Sequence, residues 1–218
     1  MADDGANNSP LITVAFPVRG RRLPADHGYA LYAAIARCAP RLHKAAWLGI
    51  ELISGIPWGE RFIVVPARGS KLRLRIPADR YGEIISLAGQ RLDIDGHTIR
   101  LGTPSARTLQ TASSLYARIV TIKKFTEAEP FLEAASRQVE SLNVSTSLEL
   151  PLDNRGRYRR RIFRVHGKAI VGFSVAAHGL SAEDSIVLQS RGIGGRRVMG
   201  CGIFVPIASR ETESDEPN

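Results

Sequence analysis

The stretch Gly192-Ile193-Gly194-Gly195-Arg196-Arg197-Val198-Met199-Gly200-Cys201-Gly202-Ile203-Phe204 places five glycines around a pair of arginines and continues into an apolar, strand-like segment. Glycine lets a backbone approach another group closely and adopt positive φ angles, and arginine carries a planar, permanently charged fork that suits phosphate. A dinucleotide-binding turn would place the glycines between an N-terminal strand and a helix, and a P-loop would end in Gly-Lys-Ser/Thr. Neither pattern occurs here, so the stretch predicts a polyanionic ligand and favours nucleic acid over a nucleotide.

The second half of the chain leads up to this stretch through a regular alternation of elements. The patterns predict a strand at Tyr116–Ile122, a helix at Glu127–Leu142, strands at Arg161–Val165 and Ile170–Ala176, a short helix at Ser181–Leu188 and a last strand at Ile203–Ile207. The resulting order is β-α-β-β-α-β.

The first half contains the same order, with one further strand before its second helix and one further strand after it. It begins with a strand at Leu11–Val18 and a helix at His27–Ala39, which Pro24 and Asp26 introduce. Further patterns predict strands at Ile50–Ile53, Phe62–Val65 and Leu72–Ile76, a helix at Pro77–Leu87, and a hairpin of Arg91–Ile94 and Thr98–Leu101 around Asp95-Gly96.

Both halves therefore predict an α+β fold of two tandem ferredoxin-like (RRM-like) β-α-β-β-α-β domains with a C-terminal glycine-rich loop. In such a unit, helices cover one face of a four-stranded antiparallel sheet and leave the other for a ligand. The predicted division is a disordered tail at residues 1–10, domains at residues 11–106 and 107–208, and an acidic disordered tail at residues 209–218.

The charge of the chain favours an anionic partner. Six of the 21 acidic residues lie in the first four and last eight positions, so residues 5–210 carry 30 basic and 15 acidic side chains, a net charge of +15. The bases comprise 25 arginines and only 5 lysines. Arginine forks onto phosphates and stacks on bases, so this composition agrees with nucleic acid.

Two cysteines, Cys38 and Cys201, are too few for a metal cage and are expected to be buried thiols in a reducing compartment. No metal site or cofactor is predicted. The acidic N-terminus is not a signal peptide, and no apolar run reaches membrane-spanning length. We therefore expect a cytoplasmic protein without a membrane partner.

A second basic segment precedes the glycine stretch. Six arginines fall within ten residues around the aromatic side chain of Tyr158: Arg155, Arg157, Arg159, Arg160, Arg161 and Arg164. Such a surface releases counterions and fits backbone recognition of an RNA stem-loop, with stacking on Tyr158. Lys123 and Lys124, after the first strand of the second half, extend this predicted path.

Two motifs resemble the CRISPR-associated endoribonucleases of the RAMP superfamily, which cut the repeat transcript into guide RNAs. Leu23-Pro24-Ala25-Asp26-His27-Gly28-Tyr29-Ala30-Leu31-Tyr32 is similar to the first-helix motif of a myxobacterial-type branch. Leu188-Gln189 and the glycine stretch through Gly202 are similar to the C-terminal glycine-rich loop of the family. The paired ferredoxin-like units extend the resemblance over almost the whole chain.

The resemblance implies that the protein cuts precursor CRISPR RNA without a metal ion and leaves a 2′,3′-cyclic phosphate. It also implies binding of the repeat stem-loop and association with other CRISPR effector-complex proteins. Gly192, Gly194, Gly195, Arg196, Arg197, Gly200 and Gly202 would then contact RNA.

This chemistry needs a base for the ribose 2′-hydroxyl, and histidine fits because its ordinary pKa lies near neutrality. His27 is the first candidate, since it begins the first helix beside Asp26, an expected N-cap, and the base of the family usually lies in or near that helix. His43 is the alternative base, with Lys44 beside it, and Tyr29 and Tyr32 could orient the nucleotide. His97, His166 and His178 are expected to be turn or loop residues.

Two readings remain open at this level. One is the metal-independent endoribonuclease, and the other is a non-catalytic RAMP-type RNA-binding subunit of a CRISPR ribonucleoprotein. Both explain the arginines and the glycine stretch, but only the first needs a histidine within reach of a scissile ribose. A sequence-reading RRM is disfavoured because its aromatic strand motif is missing.

Overall fold

The first sheet is built around one long strand, β1 (Leu11–Arg19), in a computed structural model that describes residues 9–66, 69–165 and 167–207. The other elements of this half are β2 (Arg22–Pro24), α1 (Gly28–Cys38), β3 (Gly49–Glu51), β4 (Ile56–Trp58), β5 (Phe62–Val64), β6 (Lys71–Pro77), α2 (Tyr81–Ile84), β7 (Arg91–Ile94), β8 (His97–Leu101) and β9 (Ser105–Thr108).

The strand order of this sheet is β3-β6-β1-β8-β7, with antiparallel pairs throughout, and β9 pairs with β1 alongside β8. The first four positions give the order of a ferredoxin-like unit. Alternate residues of β1, namely Val14, Phe16 and Val18, are buried in one core with Leu31 and Ile35 of α1. Period-two and helical spacing thus bring one face of the strand against one face of the helix.

The helix predicted at Pro77–Leu87 is interrupted. It consists of a 3-10 turn at Ala78–Arg80, the single α-turn α2 and a second 3-10 turn at Ile85–Leu87. Gly82 lies in the middle, where glycine disfavours a continuous helix. Of residues 78–87, only Ile84 and Leu87 are buried, so packing against the core does not compensate.

A separate three-stranded sheet follows the order β2-β5-β4. The strand predicted at Phe62–Val65 is β5 and therefore pairs outside the first sheet. Leu23 and Ile63 turn inward and are buried, whereas Ile56, Trp58 and Val64 are exposed on the opposite face.

The second half repeats the fold around two central strands. Its elements are β10 (Ser114–Val120), α3 (Ala128–Glu140), β11 (Ser147–Glu149), β12 (Arg160–Val165), β13 (Lys168–His178), α4 (Ala182–Arg191) and β14 (Phe204–Pro206). The order β11-β13-β10-β14 is again that of a ferredoxin-like unit, and β12 pairs with another part of β13. The predicted fold of two tandem ferredoxin-like units is confirmed.

The predicted domain boundary after residue 106 falls within β9. Residues Ile12 to Ala15 of β1 pair with Ser105 to Thr108 of β9, so a boundary after residue 106 would divide a strand of the first sheet. The predicted tails lie almost entirely outside the described residues. Among the described residues, α3 is the longest helix at 13 residues, and none of the helices is long and apolar enough to cross a membrane.

The two cysteines differ in exposure. Cys201 is buried as expected, and burial raises the pKa of its thiol to about 12. The expectation for Cys38 is wrong. Cys38 is the last residue of α1, and its side chain is exposed at this end of the helix.

Candidate active site and nucleic-acid interface

His27 immediately precedes α1 and is fully buried, with 0% of its surface exposed. Its Nδ1 lies 2.8 Å from the main-chain oxygen of Pro24, and its Nε2 lies 3.1 Å from the main-chain nitrogen of Ile53. A carbonyl can only accept and an amide N–H can only donate, so the ring is neutral with its proton on Nδ1. Burial lowers the pKa of His27 to about 4.

The expectation that His27 projects toward a ligand is therefore wrong for this conformation. The ring ties the segment before α1 to the segment after β3, and proton transfer to Nε2 of His27 would require its hydrogen bond from the Ile53 N–H to break. Asp26 does not cap α1 either: the helix has no side-chain cap, and the Asp26 carboxylate accepts a 3.2 Å hydrogen bond from the main-chain N–H of Arg164.

Tyr32 and His43 are in contact, and His43 is the exposed member of the pair. Tyr32 lies on α1 with most of its ring buried, and His43 follows a 3-10 turn at Pro40–Leu42 and is exposed. Their rings are nearly parallel, with an interplanar angle of 13° and centroids 6.1 Å apart. The Tyr32 hydroxyl lies 3.4 Å from Nδ1 of His43. Burial of one partner thus fixes the position of the other at the surface.

Lys44 completes this arrangement. Its main-chain N–H donates a 2.9 Å hydrogen bond to the Tyr32 hydroxyl, and its backbone adopts a positive φ of 60°. The Lys44 side chain is exposed next to His43. The structure therefore brings a tyrosine, a histidine and a lysine together, and it places the predicted alternative base in contact with one of the two predicted tyrosines. Tyr29 is half-buried one helical turn before Tyr32.

A cleft of about 630 Å³ lies between the segment before α1 and strand β12 of the second half. Five arginines and two carboxylates line it: Arg61, Arg118, Arg160, Arg161, Arg164, Asp26 and Glu60. We call it the arginine cleft. Burial raises the pKa of Asp26, and burial together with the nearby charge of Arg161 lowers the pKa of Arg118. Within the described part of the chain, the buried Nε of Arg161 has no hydrogen-bond partner.

In the arginine-rich segment, some side chains form hydrogen bonds within the protein and others are exposed to a ligand. The Asp153 carboxylate accepts hydrogen bonds from the main-chain N–H groups of Arg155 and Arg157, and from the Arg157 guanidinium at 3.0 and 3.2 Å. Arg159 donates through Nε to the main-chain oxygen of Leu152. Tyr158 is exposed beside them. Arg160 and Arg161 line both this surface and the arginine cleft, so the two form one continuous basic surface.

The glycine stretch serves close packing within the protein. An added Cβ at Gly192 would collide with the main-chain oxygen of Gly202, and one at Gly194 would lie 2.5 Å from the main-chain oxygen of Thr121. Gly200 packs on Leu52 of the first half. The predicted approach of these glycines to a ligand remains a prediction, whereas their approach to neighbouring backbone is evident. Gly195 has open space around it and is exposed.

The paired arginines point in different directions. Arg196 is exposed at a positive φ of 65°. Arg197 is largely buried and donates through Nη1 to the main-chain oxygen of Arg191, and burial lowers its pKa to about 10. The Nη2 of Arg197 also lies close to Gly49 of β3, so Arg197 contacts the first half, and only Arg196 of the pair is exposed to a phosphate.

Lys123 and Lys124 occupy a tight exposed turn closed by the pairing of Ile122 with Phe125. The Gly195 N–H donates to the main-chain oxygen of Thr121 at 3.0 Å. The two lysines thus lie at the same end of the second sheet as Arg196.

His97 and His178 line neither the arginine cleft nor the surface of the arginine-rich segment. His97 contacts Phe62 edge-on, and His178 contacts Ser114 and Glu149. His166 lies outside the described residues. In the described ranges, no group of three His, Cys, Asp or Glu side chains is placed to hold a metal ion.

Sequence reasoning missed several buried polar residues that join the halves. Arg75 of β6 is only 2% exposed and contacts Glu51 and the main-chain oxygen of Gln189. Alternation in β6 predicts an exposed Arg75, since the apolar residues occupy the other positions. The second half covers this face, and no local pattern reveals that.

The family model described as "Cas6 Crispr" matches residues 12–209. The CRISPR-associated endonuclease Cas6 of Myxococcus xanthus (strain DK1622) is 40% identical over 195 residues, which cover 89% of this chain and 81% of that protein.

Solved structures agree with the fold. A CRISPR associated protein Cas6 matches with a TM-score of 0.62 at 13% identity over 92% of this chain and 100% of its own. A Cas6-related protein from Pyrococcus furiosus matches with a TM-score of 0.64 at 14% identity, with 92% and 100% covered. Since the family model spans most of the sequence and agrees with the resemblance of both motifs, the chain belongs to the Cas6 family of CRISPR proteins.

Proposed function

We propose that this protein is a metal-independent endoribonuclease that binds the stem-loop of the CRISPR repeat and cleaves precursor CRISPR RNA into guide RNAs. The observation that carries the proposal is the exposed His43, held by the buried Tyr32 beside Lys44, in a chain of the Cas6 family. The relative from Myxococcus xanthus is named as an endonuclease, which supports the same reaction class.

The reaction needs a base, a charged group and a positioned phosphate. His43 takes the proton of the ribose 2′-hydroxyl, and the 2′-oxygen attacks the adjacent phosphorus as the bond to the 5′-oxygen breaks. The products are a 2′,3′-cyclic phosphate and a 5′-hydroxyl, whose oxygen receives a proton from an acid. The Lys44 ammonium and the exposed Arg41 guanidinium offset the charge on the phosphoryl oxygens.

The step requires the tautomer of His43 that carries its proton on Nδ1. The Tyr32 hydroxyl oxygen, 3.4 Å from Nδ1, can accept a hydrogen bond from this tautomer, in which Nε2 keeps its lone pair. We assign the base to His43 over His27, because both nitrogens of His27 are engaged by main-chain groups and its pKa lies at about 4. No metal is needed, because His43 and the neighbouring cations supply the base and the positive charge.

The basic surface supplies the affinity for RNA. The arginine cleft and the arginine-rich segment together present guanidiniums to a phosphate backbone, and Arg196 with Lys123 and Lys124 extends the surface. Such a surface recognises the shape of a stem-loop. We place the protein in the cytoplasm with its transcript, where a retained product would bring it together with other CRISPR effector proteins.

The test is cleavage of the repeat RNA in the presence of a chelator. We expect a single cut with a 2′,3′-cyclic phosphate end, and no cut when the nucleotide 5′ of the scissile phosphate carries a 2′-deoxyribose. Cleavage of that deoxy substrate, or cleavage that depends on added metal, would refute the mechanism. Tight binding without cleavage would identify the protein as the non-catalytic RNA-binding subunit instead.

A further inference from the structure

The outer face of the three-stranded sheet exposes three large apolar side chains. Ile56 is 61% exposed, Trp58 is 54% exposed and Val64 is 38% exposed. Ile56 pairs directly with Val64, and Trp58 pairs with Phe62, so all four side chains lie on one face. This face does not belong to the proposed catalytic pair or to the arginine cleft.

A guanidinium is stacked on the aromatic part of this face. The Arg22 guanidinium lies 5.4 Å from the ring centre of Trp58 and 5.0 Å from that of Phe62. His97 contacts the Phe62 ring edge-on, with centroids 5.4 Å apart. We call Arg22, Trp58 and Phe62 the aromatic platform.

Cationic side chains line the cleft beside the platform. This cleft has a volume of about 610 Å³, and its described lining includes Arg21, Arg22 and His97 but no carboxylate. The platform is also continuous with the arginine cleft. Strand β2 carries Arg22 on the platform and Pro24 in that cleft, and Arg61 of the cleft precedes Phe62.

We propose that the aromatic platform binds unpaired bases of the RNA that flanks the stem-loop, which rests on the RNA-binding function proposed above. Exposed aromatic rings beside a positively charged track are the features by which proteins hold single-stranded nucleic acid, since every base has a face that stacks. A protein partner would need only the exposed apolar side chains of this face. The stacked guanidinium and the cationic cleft complement a phosphate chain.

The experiment compares three RNAs: the repeat stem-loop alone, and the same stem-loop with about eight unpaired nucleotides on its 5′ or on its 3′ side. The measured quantity is the ratio of affinities for extended and unextended RNA at one salt concentration. For the natural protein, we expect a ratio of roughly ten with one of the extensions. Trp58→Ala should bring this ratio close to one, and Trp58→Tyr should retain most of it.

Ile85→Ala is the matched control, because Ile85 is another exposed apolar side chain of the same half and lies outside the platform. It should keep the ratio of the natural protein. A ratio near one for the natural protein, or an unchanged ratio for Trp58→Ala, would overturn the platform while stem-loop binding preserves the proposed function. Failure to bind any of the RNAs would overturn both. If Trp58→Ala instead abolishes self-association in size-exclusion chromatography with the ratio intact, the face binds a second copy and the proposal is wrong.

Discussion

The Arg75 guanidinium, on β6 of the first sheet, donates a 2.8 Å hydrogen bond to the main-chain oxygen of Gln189, on α4 of the second half. Its other terminal nitrogen lies 3.5 Å from the Glu51 carboxylate. Burial lowers the pKa of Arg75, and Glu51 partly offsets this effect. One buried guanidinium thus joins a strand of one half to a helix of the other.

Arg75→Met should destabilise the protein by about 2 to 4 kcal/mol, because it removes this link and leaves buried acceptors unpaired. Arg73→Met is the control on the same strand. Arg73 is partly exposed and lies 3.8 Å from the same Glu51, so its loss should cost under about 1 kcal/mol. Urea unfolding of both variants measures the difference, and equal effects would contradict the role of Arg75.

His27 should make folding sensitive to mild acid. The folded protein holds it neutral with a pKa of about 4, whereas an unfolded chain protonates it near its ordinary value of 6.5. The unfolded state therefore binds the extra proton as the pH falls from about 6.5 to 4. The free energy of unfolding should therefore fall by about 3 kcal/mol as the pH is lowered through this interval.

His27→Ala lacks this component, so the stability difference between it and the natural protein should shrink by about that amount between pH 7 and pH 4. If the variant is too unstable, NMR titration of the natural protein gives the same information. The His27 imidazole should then stay neutral down to about pH 4. Protonation near pH 6.5 would contradict the buried placement.

The glycine stretch should tolerate alanine at one position and reject it at another. Gly192 has a φ of 60° and its Cβ position is occupied by the Gly202 carbonyl, so Gly192→Ala should cost more than about 2 kcal/mol. Gly195 faces open space without a positive φ, so Gly195→Ala should change the melting temperature little. Equal melting temperatures would show that the loop is not packed as described.

Substitution of Arg196 should weaken RNA binding, whereas substitution of Arg197 should lower the stability of the fold. Arg196→Gln should leave the melting temperature intact and reduce the slope of log affinity for RNA against log salt by about 0.7 to 0.9, since one phosphate contact is lost. Arg197→Gln should instead lower the melting temperature, because its guanidinium is buried between the halves. The reverse pattern would exchange their roles.

The fold could be predicted from the sequence because it depends on local periodicity. Alternation in β6, the Asp95-Gly96 turn and the helical spacing of α1 predicted elements of the repeated unit correctly. Strands of three residues, such as β2 and β4, have too few positions to show a period. β9, whose residues are all exposed, has no alternation to detect.

The candidate site could be predicted from the sequence only in part, because the exposure of a side chain depends on long-range contacts. His27 and His43 have the same chemistry and flank the same helix, and a motif cannot reveal that Ile53 and Pro24 bury the first ring. The same limit applies to Arg196 and Arg197, which are adjacent in sequence but differ in burial. Arg75 and Arg118 were missed because each belongs to a strand and is covered by parts of the chain distant in sequence.

The central claim is that His43, oriented by Tyr32, is the base of an RNA-cleaving site. The most direct measurement is the single-turnover rate of repeat RNA cleavage by His43→Ala in a chelator, alongside its RNA affinity and its melting temperature. We predict a rate lower by about 10² to 10⁴ with affinity and folding preserved. Cleavage by His43→Ala at the rate of the natural protein would contradict the account, and the loss of cleavage in a folded His27→Ala variant would then pass the role to His27.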